Sequence, residues 1–293
     1  QNLSKKTRTE SDLIGSREVP ESALYGVQTL RGIENFRISK FHLNEYPLFI
    51  QALAITKMGA AVANRELDLL TEEQADAILK ACKEILEGKH HDQFPVDMIQ
   101  GGAGTTTNMN ANEVIANRAL ELMGHQRGEY QYCSPNDHVN RSQSTNDAYP
   151  TAIHIGLYYT HLKLVKHFEV LIESFRKKAT EFAHVIKMGR TQLTLGQTFN
   201  GFASILRHEV KNLDFAAQDF LTVNMGATAI GTGITAEPEY AEKCIAALRK
   251  ITGLDIKLAD DLVGATSDTS CMVGYSAAMR RVAVKMNKIC NDL

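Results

Sequence analysis

Apolar side chains recur at intervals of three and four along most of this chain, the period of a helix with one buried face. Between Glu45 and Leu69 the set Phe49, Ile50, Leu53, Ala54, Met58, Ala61 and Val62 keeps that spacing and predicts a helix. A second is opened by Thr71 with Gln74 three positions on, the spacing of a capping box, and closed at Gly88, so the two form a helical hairpin. Asn110 through Leu122 reads as a helix stopping at Gly124. From Thr151 to about Ile186 the residues Ile153, Ile155, Leu157, Leu162, Leu164, Val165, Phe168, Leu171, Ile172, Phe175 and Phe182 hold the period past Gly156, a rod of roughly 50 Å at the helical rise. The period resumes from Leu195 to Asn224 and from Tyr240 to Ile251, where Gly253 ends it, and a last long helix runs from Asp268 to Leu293.

Residues 1 to about 44 read as extended and turn-rich, because Gly15, Pro20, Gly26 and Gly32 interrupt any period. No stretch makes a convincing strand. The expected fold is all-α in the main: a mostly helical N-terminal domain over residues 1–141, then a central bundle of long helices over 142–293. Rods of that length expose more apolar surface than one chain covers, which predicts self-association.

Composition narrows the class of protein. The 293 residues carry a net charge of −2 with a pI near 6.6, and no long run of one sign occurs. That balance excludes nucleic acid and anionic membrane as expected partners. No window of about eighteen uninterrupted apolar residues exists and Gln1–Glu10 is polar, so a cytoplasmic protein is expected. Cys82, Cys133, Cys244, Cys271 and Cys290 are scattered without CxxC spacing, the pattern of free thiols in a reducing compartment. Adjacent His90 and His91 seldom ligate one ion together, and no Cys or third His stands at a useful spacing, so no metal site is expected. His154 and His161 share a helical face with Tyr158 and read as core or interface residues.

The candidate chemistry lies in polar segments at helix starts. Ser142-Gln-Ser-Thr-Asn-Asp-Ala-Tyr-Pro150 packs Ser144, Thr145, Asn146 and Asp147 together just before the longest helix. Capping accounts for one or two such residues; a run of them beside free N–H groups also suits a docked carboxylate. Gln100-Gly-Gly-Ala-Gly-Thr-Thr-Thr-Asn-Met-Asn110 adds glycines that let backbone approach a ligand and neutral donors to bind it. It lacks the lysine of a phosphate loop and the strand context of a dinucleotide fingerprint, as does Met225-Gly-Ala-Thr-Ala-Ile-Gly-Thr-Gly233. Met188-Gly-Arg-Thr-Gln192 is a third such break. Many neutral donors with few cations suit a small dicarboxylate, or charge delocalised onto a carboxylate when the neighbouring carbon loses a proton.

These segments resemble the motifs of the aspartase and class II fumarase superfamily: Gly101 to Glu113, Ser142 to Asp147 with Pro150, and Gly189 to Gln192 with Thr194-Leu-Gly-Gln197. Within it, Arg17-Glu-Val-Pro20, Tyr25 to Arg31, Gly124 to Tyr132 and Asn136 to Asn140 resemble the aspartate ammonia-lyases more than the fumarases. The resemblance implies the superfamily's fold and the reversible, cofactor-free conversion of L-aspartate to fumarate and ammonia through an aci-carboxylate carbanion. By similarity, Thr105, Ser144 and Thr145 would hold the β-carboxylate, Asn146 would meet the amino group and Thr191 the α-carboxylate. Gln192 stands where relatives often have His; it does not titrate near neutral pH, so it would orient the leaving amine rather than protonate it. A homotetramer with sites shared between subunits is implied as well.

Two departures accompany the resemblance. About six residues that relatives carry between Leu193 and Thr194 are absent, and the loop bearing the superfamily's serine base would lie beyond Leu293, with the rest of the bundle and a C-terminal domain. Residues 1–293 alone are therefore expected to be inactive. The competing expectations are a class II fumarase, which hydrates fumarate to malate on nearly the same donors, and a non-catalytic helical assembly protein.

Overall fold

The computed structural model describes residues 6–293, and the chain is mainly helical. It divides into two compact units. One comprises the chain up to Gly156 together with Leu221–Ser267, and the other Leu157–Phe220 together with Asp268–Leu293. The boundary expected at 141/142 thus falls inside the first unit, because the chain returns to that unit after Phe220.

The first unit opens on a hairpin of β1 (Thr7–Asp12) and β2 (Gly15–Pro20), antiparallel, with Asp12 opposite Gly15. Helix α1 (Val27–Asn35) follows. The extended, turn-rich reading of this region holds for the hairpin, which is a strand pair where no convincing strand was expected, and is corrected at α1. Helix α1 has no capping side chain of its own, and distant carboxylates fill the role. Glu113 accepts from the N–H groups of Gly26, Gln28 and Thr29 at 2.8, 2.9 and 3.0 Å, and Glu10 accepts from Val27 N–H at 2.9 Å. Nothing local in the sequence signals a helix start supplied from so far along the chain.

Helices α2 (Pro47–Glu66) and α3 (Glu72–Leu86) form the expected hairpin, and Thr71 and Gln74 make the reciprocal capping box. His90 bonds Glu84 at 2.8 Å and His91 bonds the Ile85 carbonyl at 2.8 Å, so both rings serve the turn after α3. Helix α4 (Thr105–Leu122) packs on α3, and Arg118 grips Glu84 through two nitrogens at 2.6 and 2.9 Å. It begins five residues before the expected Asn110, with the threonines forming its first turn. Helix α5 (Thr145–Glu181) likewise starts earlier than Thr151 and stops before Ile186. Its 37 residues make a rod of about 55 Å.

In the second unit, β3 (Ile186–Met188) and β4 (Gln192–Thr194) form a tight antiparallel hairpin. Helix α6 (Leu195–Ala217) starts from a capping box of Thr194 and Gln197 and ends seven residues short of the expected Asn224, at a 3-10 turn. Chain order then returns to the first unit: β5 (Thr222–Val223) pairs in parallel with β6 (Lys257–Leu258), and α7 (Tyr240–Thr252), ended by left-handed Gly253, packs on α2. Helix α8 (Leu262–Ser267) is short, and α9 (Ser270–Asp292) packs on α6 in the second unit. Ile172, Phe175, Phe202, Leu206 and Ile289 form that unit's core, and buried His161 bonds Tyr275 and Asp214 there at 3.0 and 3.1 Å, the core role expected of it. All five cysteines are free thiols. No described helix is long and apolar enough to cross a membrane.

Candidate active site

Two of the three polar segments meet at adjoining helix N-termini in the first unit. Gly104 is the N-cap of α4 with φ of 93°, and a Cβ there would lie 2.5 Å from the ring of Tyr149 on α5. Only glycine supplies both that left-handed backbone and that close approach. Gln100 Oε1 accepts from Thr107 N–H at 2.8 Å and caps the turn. Thr105, the first residue of α4, is exposed at its mouth, and Asn108, one turn deeper, is buried.

Ser144 caps α5. Its hydroxyl accepts from Asn146 N–H at 3.2 Å, and its own N–H donates to Asp147 Oδ1 at 3.0 Å. Asp147 is fully buried and its Oδ2 accepts from the N–H groups of Thr228 and Gly226 at 2.8 and 3.3 Å. Burial raises its pKa to about 6, against the pull of those hydrogen bonds and of Lys57. Capping and loop anchoring therefore occupy Ser144 and Asp147, while Thr145 and Asn146 project their side chains elsewhere. Asn146 Nδ2 donates to the Ala229 carbonyl at 2.6 Å. A carbonyl can only accept, so the amide orientation is fixed and Asn146 Oδ1 is the atom left for a ligand's donor.

Behind these helix mouths lies a buried cage that spacing and periodicity did not reveal. Lys57 of α2, 1% exposed, donates to Asn108 Oδ1, Asn140 Oδ1 and Gln143 Oε1 at 2.8, 3.0 and 2.8 Å. Asn108 Nδ2 in turn reaches Asn140 Oδ1 at 3.1 Å and Thr145 Oγ1 at 3.2 Å. Burial lowers the Lys57 pKa to about 7, and the charge of Asp147 opposes that fall. The three acceptors match the three hydrogens of an ammonium group, which is how an isolated buried cation is accommodated. In sequence, Lys57 is one cation in an Ala-rich helix, and no local signal distinguishes it.

The loop 225–233, unremarkable as a glycine motif, is pinned to this region by Asp147 and Asn146. Thr228 there adopts φ of 57°, and its buried hydroxyl has no partner among the described residues. Thr191 and Gln192 belong to the other unit, exposed on the β3–β4 hairpin, whose base is closed by Leu195 N–H on the Val185 carbonyl at 2.8 Å and Gly196 N–H on the Phe182 carbonyl at 3.0 Å, just past α5. Thr105, Ser144, Thr145 and Asn146 thus share one unit, and Thr191 and Gln192 lie on the second.

The lyase family's sequence model matches residues 15–293, nearly the whole chain. The chain belongs to the aspartase and class II fumarase superfamily of lyases. This lyase chain is 52% identical over 298 aligned residues to the aspartate ammonia-lyase of Escherichia coli K12, covering 99% of the chain and 62% of that enzyme. It is 50% identical to the aspartate ammonia-lyase of Helicobacter pylori J99, covering 98% of the chain and again 62% of that enzyme. Among solved structures, the native fumarate lyase:delta crystallin of Brucella melitensis superposes with a TM-score of 0.93 at 46% identity, over 98% of this chain and 66% of that one. The class II fumarase of Schistosoma mansoni superposes at 0.90 with 30% identity, over 98% and 64%. The lyase chain spans about 62% of the length of the curated relatives it matches.

Proposed function

We propose that the protein deaminates L-aspartate reversibly to fumarate and ammonia. The observation that carries this reading is that the first turns of α4 and α5, which bear Thr105 and Thr145 with Ser144 as cap, adjoin through the bond from Asn108 Nδ2 to Thr145 Oγ1. A base removes the Cβ proton; the electron pair moves into the β-carboxylate, and the resulting dianion is what hydroxyl donors and helix N-termini stabilise. As that pair returns to form the C=C bond, the Cα–N bond breaks and ammonia departs. Asn146 Oδ1, freed by the bond from Nδ2 to Ala229, accepts from the substrate ammonium. Thr191 takes the α-carboxylate, and Gln192 orients the leaving amine.

Identity of 52% to an aspartate ammonia-lyase against 30% to a class II fumarase favours amine over water as the leaving group. The reaction needs no cofactor in this scheme. The working form is a cytoplasmic homotetramer with sites shared between subunits. In the test, the complete protein is assayed with L-aspartate and with L-malate, following fumarate. Fumarate from aspartate is expected. Turnover of malate only would make the protein a fumarase, and turnover of neither would return it to the class of helical assembly proteins.

A further inference from the structure

The cage around Lys57 fixes more than its own charge. A lysine ammonium only donates, so Asn108 must turn Oδ1 toward Lys57 and Nδ2 away from it. The amide hydrogens then face Asn140 Oδ1 and Thr145 Oγ1. A hydroxyl whose oxygen already accepts from Asn108 keeps its own proton for another partner. Asn140 and Gln143 are fixed in the same way, each with its carbonyl oxygen on Nζ, so the group has a single hydrogen-bond arrangement.

We propose that Lys57 is a positioning residue which, by fixing the amide of Asn108, makes the half-buried Thr145 hydroxyl a hydrogen-bond donor toward a bound carboxylate. The inference rests on the reading of Thr145 as a substrate-carboxylate ligand. Without the ammonium, Asn108 Oδ1 loses its donor; Asn140 Oδ1 still accepts from Nδ2, but the amide is anchored on that side only and no longer holds its other hydrogen firmly on Thr145 Oγ1.

The experiment is a double-mutant cycle in the complete protein, pairing Lys57→Met, apolar and of similar length, with Thr145→Val. The readouts are kcat and KM for aspartate and the Kd of succinate, an unreactive dicarboxylate, by calorimetry. Lys57→Met is expected to cut kcat/KM and succinate affinity roughly tenfold, the worth of one hydrogen bond, when Thr145 is present. In the Thr145→Val background the same change is expected to cost less than about twofold. Equal losses in both backgrounds, or no loss in either, would overturn the inference, since a purely structural lysine acts regardless of Thr145.

If Lys57→Met does not fold, Asn108→Asp replaces it in the cycle. That variant keeps an acceptor for Lys57 and removes the donor to Thr145, so the same dependence on Thr145 is expected and its absence is equally decisive. A wild-type protein that binds succinate but leaves aspartate unchanged sinks the proposed reaction alone, and the succinate cycle still decides the role of Lys57. A protein that does not bind succinate sinks both.

Discussion

Pro150 stands in the second turn of α5, where a proline removes the N–H that would fill the carbonyl of Asn146. Buried Asn224 supplies the missing donor, its Nδ2 reaching that carbonyl at 3.0 Å and Thr266 Oγ1 at 3.2 Å. Asn224→Ala is expected to destabilise the protein by about 1–3 kcal/mol, the cost of an unmet buried acceptor. In a Pro150→Ala background, where the alanine N–H restores the helical bond, the penalty should shrink; an undiminished penalty in urea unfolding would show that the two residues are not coupled. At this scale the sequence marks roles that depend on near neighbours. A capping role within the run 144–147 was legible, because the partners of Ser144 lie two and three positions away. Lys57 was not, because its three acceptors come from two other segments and meet only after packing.

The elements were legible where their ends are closed by their own residues. The boundaries of α2 and α3 follow the capping box at Thr71 and the apolar period, and α7 ends at the glycine expected to end it. Helix α1 was missed because Glu10 and Glu113 close its start, and the onset of α4 was misplaced because Gln100 caps a turn of threonines that reads as loop. The α3–α4 pair carries a pH dependence of its own. Hydrogen bonding to Arg118, aided by His90, holds the Glu84 carboxyl down to about 2, so in the folded state it stays ionised well below its usual range. The unfolded chain takes up that proton near the ordinary value, so the stabilisation is complete above about pH 4.5 and is lost as the pH falls toward 2. Glu84→Gln should therefore flatten the acid limb of the stability curve. An unchanged limb in unfolding measurements between those values would remove Glu84 from it.

For the whole molecule, the second unit leaves large apolar side chains in solvent, with Phe215 of α6 83% exposed and Val273 and Val284 of α9 at 67% and 62%. Exposed apolar groups at such helical positions suit burial against other copies of the chain, the arrangement proposed for the working enzyme. Phe215→Asp in the complete protein should shift its mass by light scattering from tetramer toward smaller species, and aspartate turnover should fall with it. A variant that remains tetrameric would take Phe215 out of the interface.

The sequence by itself determined the helical class, the period and approximate span of the rods, and the polar segments that stand at helix starts, because each is set by contacts within a few residues along the chain. Only the tertiary structure decided which mouths adjoin, that Tyr149 packs over Gly104, and that Lys57 sits beneath Thr145 in a cage of amides. Those depend on groups tens of residues apart in the chain, brought within hydrogen-bond distance by the burial of apolar faces, and the order of residues alone does not say which faces meet.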